Sequence, residues 1–446
     1  MVEYTDVINT DTAWLPQIPA HWKLQKIDAL FTERKTKVSD KDYAPLSVTK
    51  KGILPQLEHA AKSNDSDNRK LVKAGDFVIN SRSDRKGSCG VSKLEGSVSL
   101  INLVLTPRSK LNSDYVHYLL RNYRFSEEYY RNGRGIVADL WTTRYSEMRT
   151  ILLPVPPRAE QDQIVRFLDW KVSEINKLIS IRRKEIQELE ELKRSRIGSI
   201  IMGQFQTLKK KSDISWVDAI PLSWKEKPLI QYAYERCIKN DGMVEDNLLS
   251  LSHGKVIDKD INTTDGLLPA SFESYQIVEP GDIILRLTDL QNDHKSLRTG
   301  LVTQRGIITS AYTCLETRGD ILPEFLQLEL HVADLCKVFY GMGGGVRQSI
   351  GFKDIKRMLI AIPPLSEQHR ILDLIHGIDA PTDKQKEQNL NIINELEELK
   401  KVIISDAVTG KIDVRNVTIP EYERVDNIYD DNNEDSEETE TDGEEA

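Results

Sequence analysis

At 446 residues, with 39% hydrophobic and 29% charged side chains, the chain is long enough for more than one domain with a real core. Cys89, Cys237, Cys314 and Cys336 are too scattered for a zinc site, and no apolar run could span a bilayer. A cytoplasmic protein with reduced thiols is therefore expected. The net charge of −9 hides an asymmetry: from Glu421 to Ala446 thirteen Asp or Glu face one Arg, a tail of −12 that leaves +3 on residues 1–420.

Met1-Val2-Glu3-Tyr4 has neither the basic nor the apolar region of a secretory signal. The first patterned stretch is Asp11-Thr12-Ala13-Trp14, running through Ile18-Pro19 to Trp22-Lys23. Asp76 to Asn80 is a short β-rich run entered through a Gly75-Asp76 turn, and Val98 to Leu105 is a further strand candidate. Ser113 to Leu120 reads as a capped helix. Pro156 and Pro157 end this mixed α/β region, because proline lacks an N–H and restricts the residue before it.

A long amphipathic helix follows, from about Glu160 to Gly203. Leu168, Val172, Ile175, Ile179, Ile186, Leu189 and Ile200 fall on one alternating 4/3 seam, the period of a coiled coil, with Arg182, Lys193 and Arg196 at the remaining positions. Such a stripe needs a partner. The chain then repeats itself: Asp213, Trp216, Ile220-Pro221 and Trp224-Lys225 match the opening at an offset of 202. Lys209-Lys210-Lys211 reads as the face of a linker. Gly281-Asp282 leads into Ile283-Ile284-Leu285, Gly306 to Leu315 is strand-like, and Leu322 to Leu328 is helical with Pro323 at its start. Pro363-Pro364-Leu365-Ser366-Glu367-Gln368 reproduces Pro156-Pro157-Arg158-Ala159-Glu160-Gln161 at an offset of 207, and Glu395-Leu396-Glu397-Glu398-Leu399-Lys400 copies Glu188 to Lys193 letter for letter. Ile393 and Leu396 continue the seam. Asp379, Thr382, Lys386 and Asn389 replace Val172, Ile175, Ile179 and Arg182, so the second helix is less apolar in its first half.

This order predicts an α+β fold: two mixed α/β domains separated by an antiparallel pair of long coiled-coil helices, with an internal pseudo-two-fold repeat. The expected boundaries are 1–155 and 206–362 for the domains and 156–205 and 363–415 for the spacer helices. Residues 416–446 form an acidic tail whose low apolar content suits disorder, although such a tail can also mimic nucleic acid.

Phosphate-loop, zinc-protease, nucleophile-elbow and Asn-Pro-Pro-Tyr motifs are all missing, and the eight His are dispersed. The chain reads as non-catalytic, with no cofactor or metal of its own. Its loops combine Arg or Lys with amides and hydroxyls, a mixture that suits phosphates and base edges. Candidates in the first half are Asn80, Arg82, Arg85 and Lys86, then Arg134, Thr143 and Arg144. In the second they are Arg286, Gln291, Asn292 and Lys295, then Arg347 and Gln348. Taken singly, each loop is equally a solvated surface, and the seam also suits an interaction scaffold whose heads bind protein.

The Ile-Pro-x-x-Trp openings at Ile18 and Ile220, the Pro-Pro-x-x-Glu-Gln-x-x-Ile helix starts and the paired Glu-Leu-Glu-Glu-Leu-Lys helices, all duplicated in order, carry a resemblance. The chain resembles the specificity subunit of Type I restriction–modification systems over nearly its full length apart from the acidic tail. The resemblance implies two domains that each read half of a bipartite, asymmetric DNA site, with helices fixing the gap. It also implies two docked modification subunits carrying the S-adenosylmethionine chemistry on adenine, and restriction subunits where present.

Overall fold

The computed structural model describes residues 2–56, 67–108, 111–135, 141–261, 271–290, 293, 296–342 and 350–426. Two compact units result, one of Met1–Glu185 with Asn389–Ala446 and the other of Ile186–Gln388.

In the first unit a four-stranded antiparallel sheet runs in the order Cys89–Val91, Phe77–Asn80, Asn102–Pro107, Phe31–Glu33. A second sheet has the order Gly96–Val98, Arg69–Val72, Lys37–Val38, and hairpins join Leu46–Thr49 to Gly52–Pro55 and Val7–Thr12 to Leu15–Pro19. Leu152–Val155 pairs with Lys23–Lys26 just before the first long helix. The second unit repeats every one of these sheets. Its four-stranded sheet is Thr299–Leu301, Ile283–Leu285, Thr313–Thr317, Ala233–Arg236, and its three-stranded sheet is Gly306–Ile308, Gln276–Val278, Ile238–Lys239. The region where the two copies share little sequence thus keeps one topology.

The duplicated motifs hold equivalent places. Asp76 receives both Arg34 Nε (2.8 Å) and Nη2 (3.0 Å), together with the Lys73 N–H at 2.8 Å. Asp282 receives Arg236 Nη1 at 2.5 Å and the Glu279 N–H at 2.7 Å. The Gly-Asp turns therefore end in buried carboxylates, each met by an Arg from the sheet's far strand. Gly96 and Gly306 have no room for a side chain, since a Cβ would lie 2.4 Å from Ala44 O and 2.5 Å from Asn247 O. The second core is built from Trp224, Leu285, Leu315, Phe325, Ile360 and Ile371 among others, each wholly buried or nearly so. Side chains of this size contribute roughly 1.5–3 kcal/mol apiece on burial.

Some local expectations needed correction. Lys209–Lys211 is not a linker face but a strand paired with Ala219–Pro221, the counterpart of the N-terminal hairpin. Val98 to Leu105 is broken by a turn closed from Asn102 N–H to Ser99 O at 3.1 Å, and the strands are Gly96–Val98 and Asn102–Pro107. Likewise Gly306 to Leu315 splits into Gly306–Ile308 and Thr313–Thr317. The helix Ser113–Arg121 is capped by Asn112, whose Oδ1 accepts from the N–H groups of Asp114 and Tyr115.

The long helices span Arg158–Ile201 and Leu365–Val408, 44 residues each. Both end alike. Gly203 (φ 63°) and Gly410 (φ 76°) adopt left-handed backbone, and the following N–H reaches five residues back, from Gln204 to Ser199 O and from Lys411 to Asp406 O, both at 2.8 Å. A Cβ on Gly203 would strike Pro221 and approach the Trp224 ring, and one on Gly410 would strike Pro19 and approach Trp22. The Ile-Pro-x-x-Trp opening is thus the seat for a helix end.

Glu160 is buried and takes hydrogen bonds from Trp22 Nε1 (3.0 Å) and Tyr4 OH, with His21 Nε2 at 2.8 Å. Gln161 accepts the Asn112 N–H and donates to Pro156 O, as Gln368 accepts the Leu322 N–H and donates to Pro363 O. The shared Gln therefore locks each long helix onto its own domain, and Glu160 adds to this in the first copy.

Along the seam Leu168, Ile175, Ile179 and Ile393 are buried, while Val172, Ile186, Leu189 and Leu396 are half-buried. The helices run antiparallel within each unit. Lys400 Nζ meets Asn176 Oδ1 (3.3 Å) in the first, and Lys193 Nζ meets Asp379 (3.1 Å) and Asp383 (2.8 Å) in the second, where Lys386 also pairs with Glu190. Where the second helix loses its apolar seam, ion pairs to the first replace it. Residues expected to open the tail instead lie along the first helix. Gln163 Nε2 donates to Val414 O and Val417 O, Ser173 Oγ bonds Glu423 O and the Val425 N–H, and Asn176 Nδ2 donates to Val425 O. Asp413 N–H also bonds Val2 O, tying this segment to the N-terminal residues.

Candidate nucleic-acid interface

In each four-stranded sheet a loop joins the two strands at one edge: residues 81–88 in the first unit and 286–298 in the second. The first loop is joined by the segments that carry Arg134, Thr143 and Arg144. Thr143 N–H bonds Ser81 O at 2.9 Å, Ser83 N–H bonds Trp141 O at 2.9 Å, and Arg134 and Thr142 exchange backbone bonds at 3.2 and 3.0 Å. Tyr130 OH lies 3.3 Å from Asn80 O and 3.2 Å from Arg85 O, fixing the loop from below.

The predicted residues divide by exposure. Asn80 and Thr143 are buried: Asn80 Oδ1 accepts the Arg82 N–H (3.0 Å), and Thr143 Oγ1 donates to Tyr129 O (3.1 Å). In this state both shape the loop rather than face a ligand. Arg82 and Arg85 are half-exposed, and Lys86, Arg134 and Arg144 are exposed. Arg82 forms a fork on Asp84 at 3.1 and 3.0 Å, and Lys86 pairs with Glu127, so these cations are held by neighbours that a phosphate could replace. In the second loop Arg286 is half-buried with Nη2 3.3 Å from Asp293 Oδ2. Gln291, Asn292, Lys295, Arg347 and Gln348 lie outside the described residues.

Nothing in the repeats pointed to Arg298, which is wholly buried behind the second loop, or to Tyr130 and Tyr340. Ser88 and Arg298 are equivalent, since their carbonyls accept the Asn80 and Arg286 N–H groups at 2.9 and 2.8 Å. Among the described residues no group of three or more His, Cys, Asp or Glu could hold a metal ion. Nor is any described helix long and apolar enough to cross a membrane.

Residues 304–398 match the family model of the Type I restriction modification DNA specificity domain. Over that stretch the chain is similar to Type I DNA specificity domains. That match covers the last strands of the second unit, the helix Pro323–Leu335 and most of the second long helix. Over 395 residues, 85% of this chain and 87% of the relative, the chain is 22% identical to a Methanocaldococcus jannaschii protein assigned as the type I restriction enzyme MjaX specificity subunit. A solved structure from work on complex assembly and conformational transition of the type I R-M system shares the fold. It has a TM-score of 0.60 at 14% identity, over 89% of this chain and 99% of that one. The HsdS subunit from Thermoanaerobacter tengcongensis aligns over 89% and 98% at 14% identity with a TM-score of 0.43. The resemblance seen in the duplicated motifs is borne out.

Proposed function

We propose that this chain is the non-catalytic, sequence-reading subunit of a Type I restriction–modification complex. Residues 1–155 and 206–362 each read one half of a bipartite, asymmetric DNA site, through the loops 80–86 with 134–144 and 286–295 with 347–348. The spacer helices, 156–205 and 363–415, set the unread gap and, with parts of the recognition domains, dock two modification subunits. Those subunits bind S-adenosylmethionine and methylate adenine, and restriction subunits join where present. The observation that carries this reading is the duplication of a loop-bearing sheet, with cationic side chains at the first loop and Arg286 at the second, in a chain similar to specificity subunits. Two unlike loops on one frame suit two unlike half-sites.

Selection from a random DNA pool, with the full chain co-expressed with a modification subunit, tests it. A split motif with a fixed unread gap is expected, bound with an affinity that falls steeply as salt rises. Recovery of no motif from a folded complex overturns the proposal in favour of a protein-binding scaffold, and methylation by the purified chain alone overturns its non-catalytic part.

A further inference from the structure

We infer that Tyr340 with Arg298 in the second unit, and Tyr130 in the first, are positioning residues that set the backbone of the two reading loops and so decide half-site specificity. The inference rests on the reading above, and it names residues that need not touch DNA.

An arginine guanidinium has five N–H donors in a fixed fork. All five of Arg298 are used on the loop and its support. Nε donates to Tyr340 OH at 2.9 Å. Nη1 donates to Arg286 O (3.1 Å) and Thr288 O (2.8 Å), and Nη2 to Asp289 O (3.4 Å) and Asp293 O. Four carbonyls of one loop thus converge on a single wholly buried cation. Carbonyl dipoles rather than a carboxylate surround its fork, while its backbone N–H bonds Asp334 Oδ2 at 3.0 Å. Tyr340 OH closes the arrangement with a 3.2 Å contact to Asp293 O. Asp289 has a positive φ of 56°, a conformation that an isolated loop would rarely adopt and that the bonds to its neighbours stabilise.

Burying a cation costs desolvation, and an apolar residue in its place would leave four loop carbonyls without this donor, so the arginine and the loop's conformation depend on each other. What the fork supplies is a fixed place for the carbonyls of Arg286, Thr288, Asp289 and Asp293, hence one placement for the side chains of those residues. The first unit reaches the same end differently. Its loop is shorter, Ser88 stands at the position of Arg298, and the Tyr130 hydroxyl alone spans the carbonyls of Asn80 and Arg85. Tyr130 and Tyr340 both hold a loop carbonyl from beneath, although the segments around them share little sequence.

The test uses the full chain in the same selection, with Tyr340→Phe, Tyr130→Phe and Arg298→Lys. Removing only a hydroxyl leaves the packing of each ring in place. Tyr340→Phe is expected to relax base preference in one half-site by about tenfold and leave the other unchanged, and Tyr130→Phe to do the reverse. Arg298→Lys keeps the charge but loses the fork, and is expected to relax the same half as Tyr340→Phe more deeply. The salt dependence of binding should not change, because no phosphate contact is removed. Equal weakening of both half-sites, or unchanged preference in both tyrosine variants, overturns the inference while the split site itself stands. A native chain that selects no split motif overturns the underlying reading, and the inference with it.

Discussion

Glu329 lies in the core of the second unit at the place where the first has Leu119, counting seven residues from the N–H groups that bond Gln368 and Gln161. Its Oε1 accepts the Ala361 N–H at 2.5 Å, and Oε2 has no partner among the described residues. Burial pushes this carboxyl up to about 8, so the neutral acid is the form the fold accepts. The folded value stands above that of the unfolded chain. The contribution of Glu329 to stability is therefore full at acid pH and is lost as pH rises towards 8. On the acid side the order reverses. Burial and the neighbouring Arg121 and Lys93 lower His117 to about 3, and burial with Arg194 nearby lowers His331 to about 4. Stability is lost there as pH falls below the ordinary histidine value of about 6.5. Glu329→Gln should leave melting unchanged near pH 5 and raise the melting temperature at pH 9 by several degrees. Melting curves for the two proteins that stay parallel from pH 5 to 9 would show that Glu329 is not the titrating group.

At the scale of elements, the segment 411–426 holds to the first long helix by few bonds. Ser173 supplies two of them, accepting the Val425 N–H at 2.7 Å and donating to Glu423 O at 2.8 Å. With Asn176 and Lys400 this segment walls a cavity of about 740 Å³, which His117 and Arg121 also line. Most of its residues are exposed, so the backbone bonds carry much of the attachment. Ser173→Ala should release the segment at a cost of about 1–2 kcal/mol. Limited proteolysis would then cut between Glu421 and Asp426 sooner, with the melting temperature of the body little moved; an unchanged cleavage rate would mean that packing holds the segment. This attachment was illegible in the sequence, where thirteen acids conceal the few residues that bind. The long helices were legible because period and punctuation agree: double proline before, glycine after, and a 4/3 stripe between. The shared topology of the two domains was not, since a sheet tolerates almost any alternating pattern and only Gly-Asp and two tight glycines survive as common letters. Within the candidate interface, the loops announced themselves by cations and amides. Arg298 did not, because nothing in the letters around an arginine says that it points inward.

For the whole molecule, the proposed ruler turns helix length into DNA spacing. A heptad adds about 10 Å of helix at 1.5 Å per residue. The same length of duplex, at 3.4 Å per base pair, is about three base pairs. One heptad placed after Glu185 and another after Leu390 lengthens both helices, and seven residues return the apolar stripe to nearly the same face. Since the inserts lie away from both reading loops and from Gly203 and Gly410, the half-sites themselves should be read as before. The selected motif should keep both halves and gain about three base pairs between them, somewhat fewer if the complex bends the DNA. A smaller insertion is a sharper probe. Two residues would turn the stripe by about 160° at 3.6 residues per turn, so the seam would no longer face its partner and folding rather than spacing should fail. If the heptad variant folds, binds both halves and keeps the native gap, the helices do not measure DNA, and partner subunits must set the spacing.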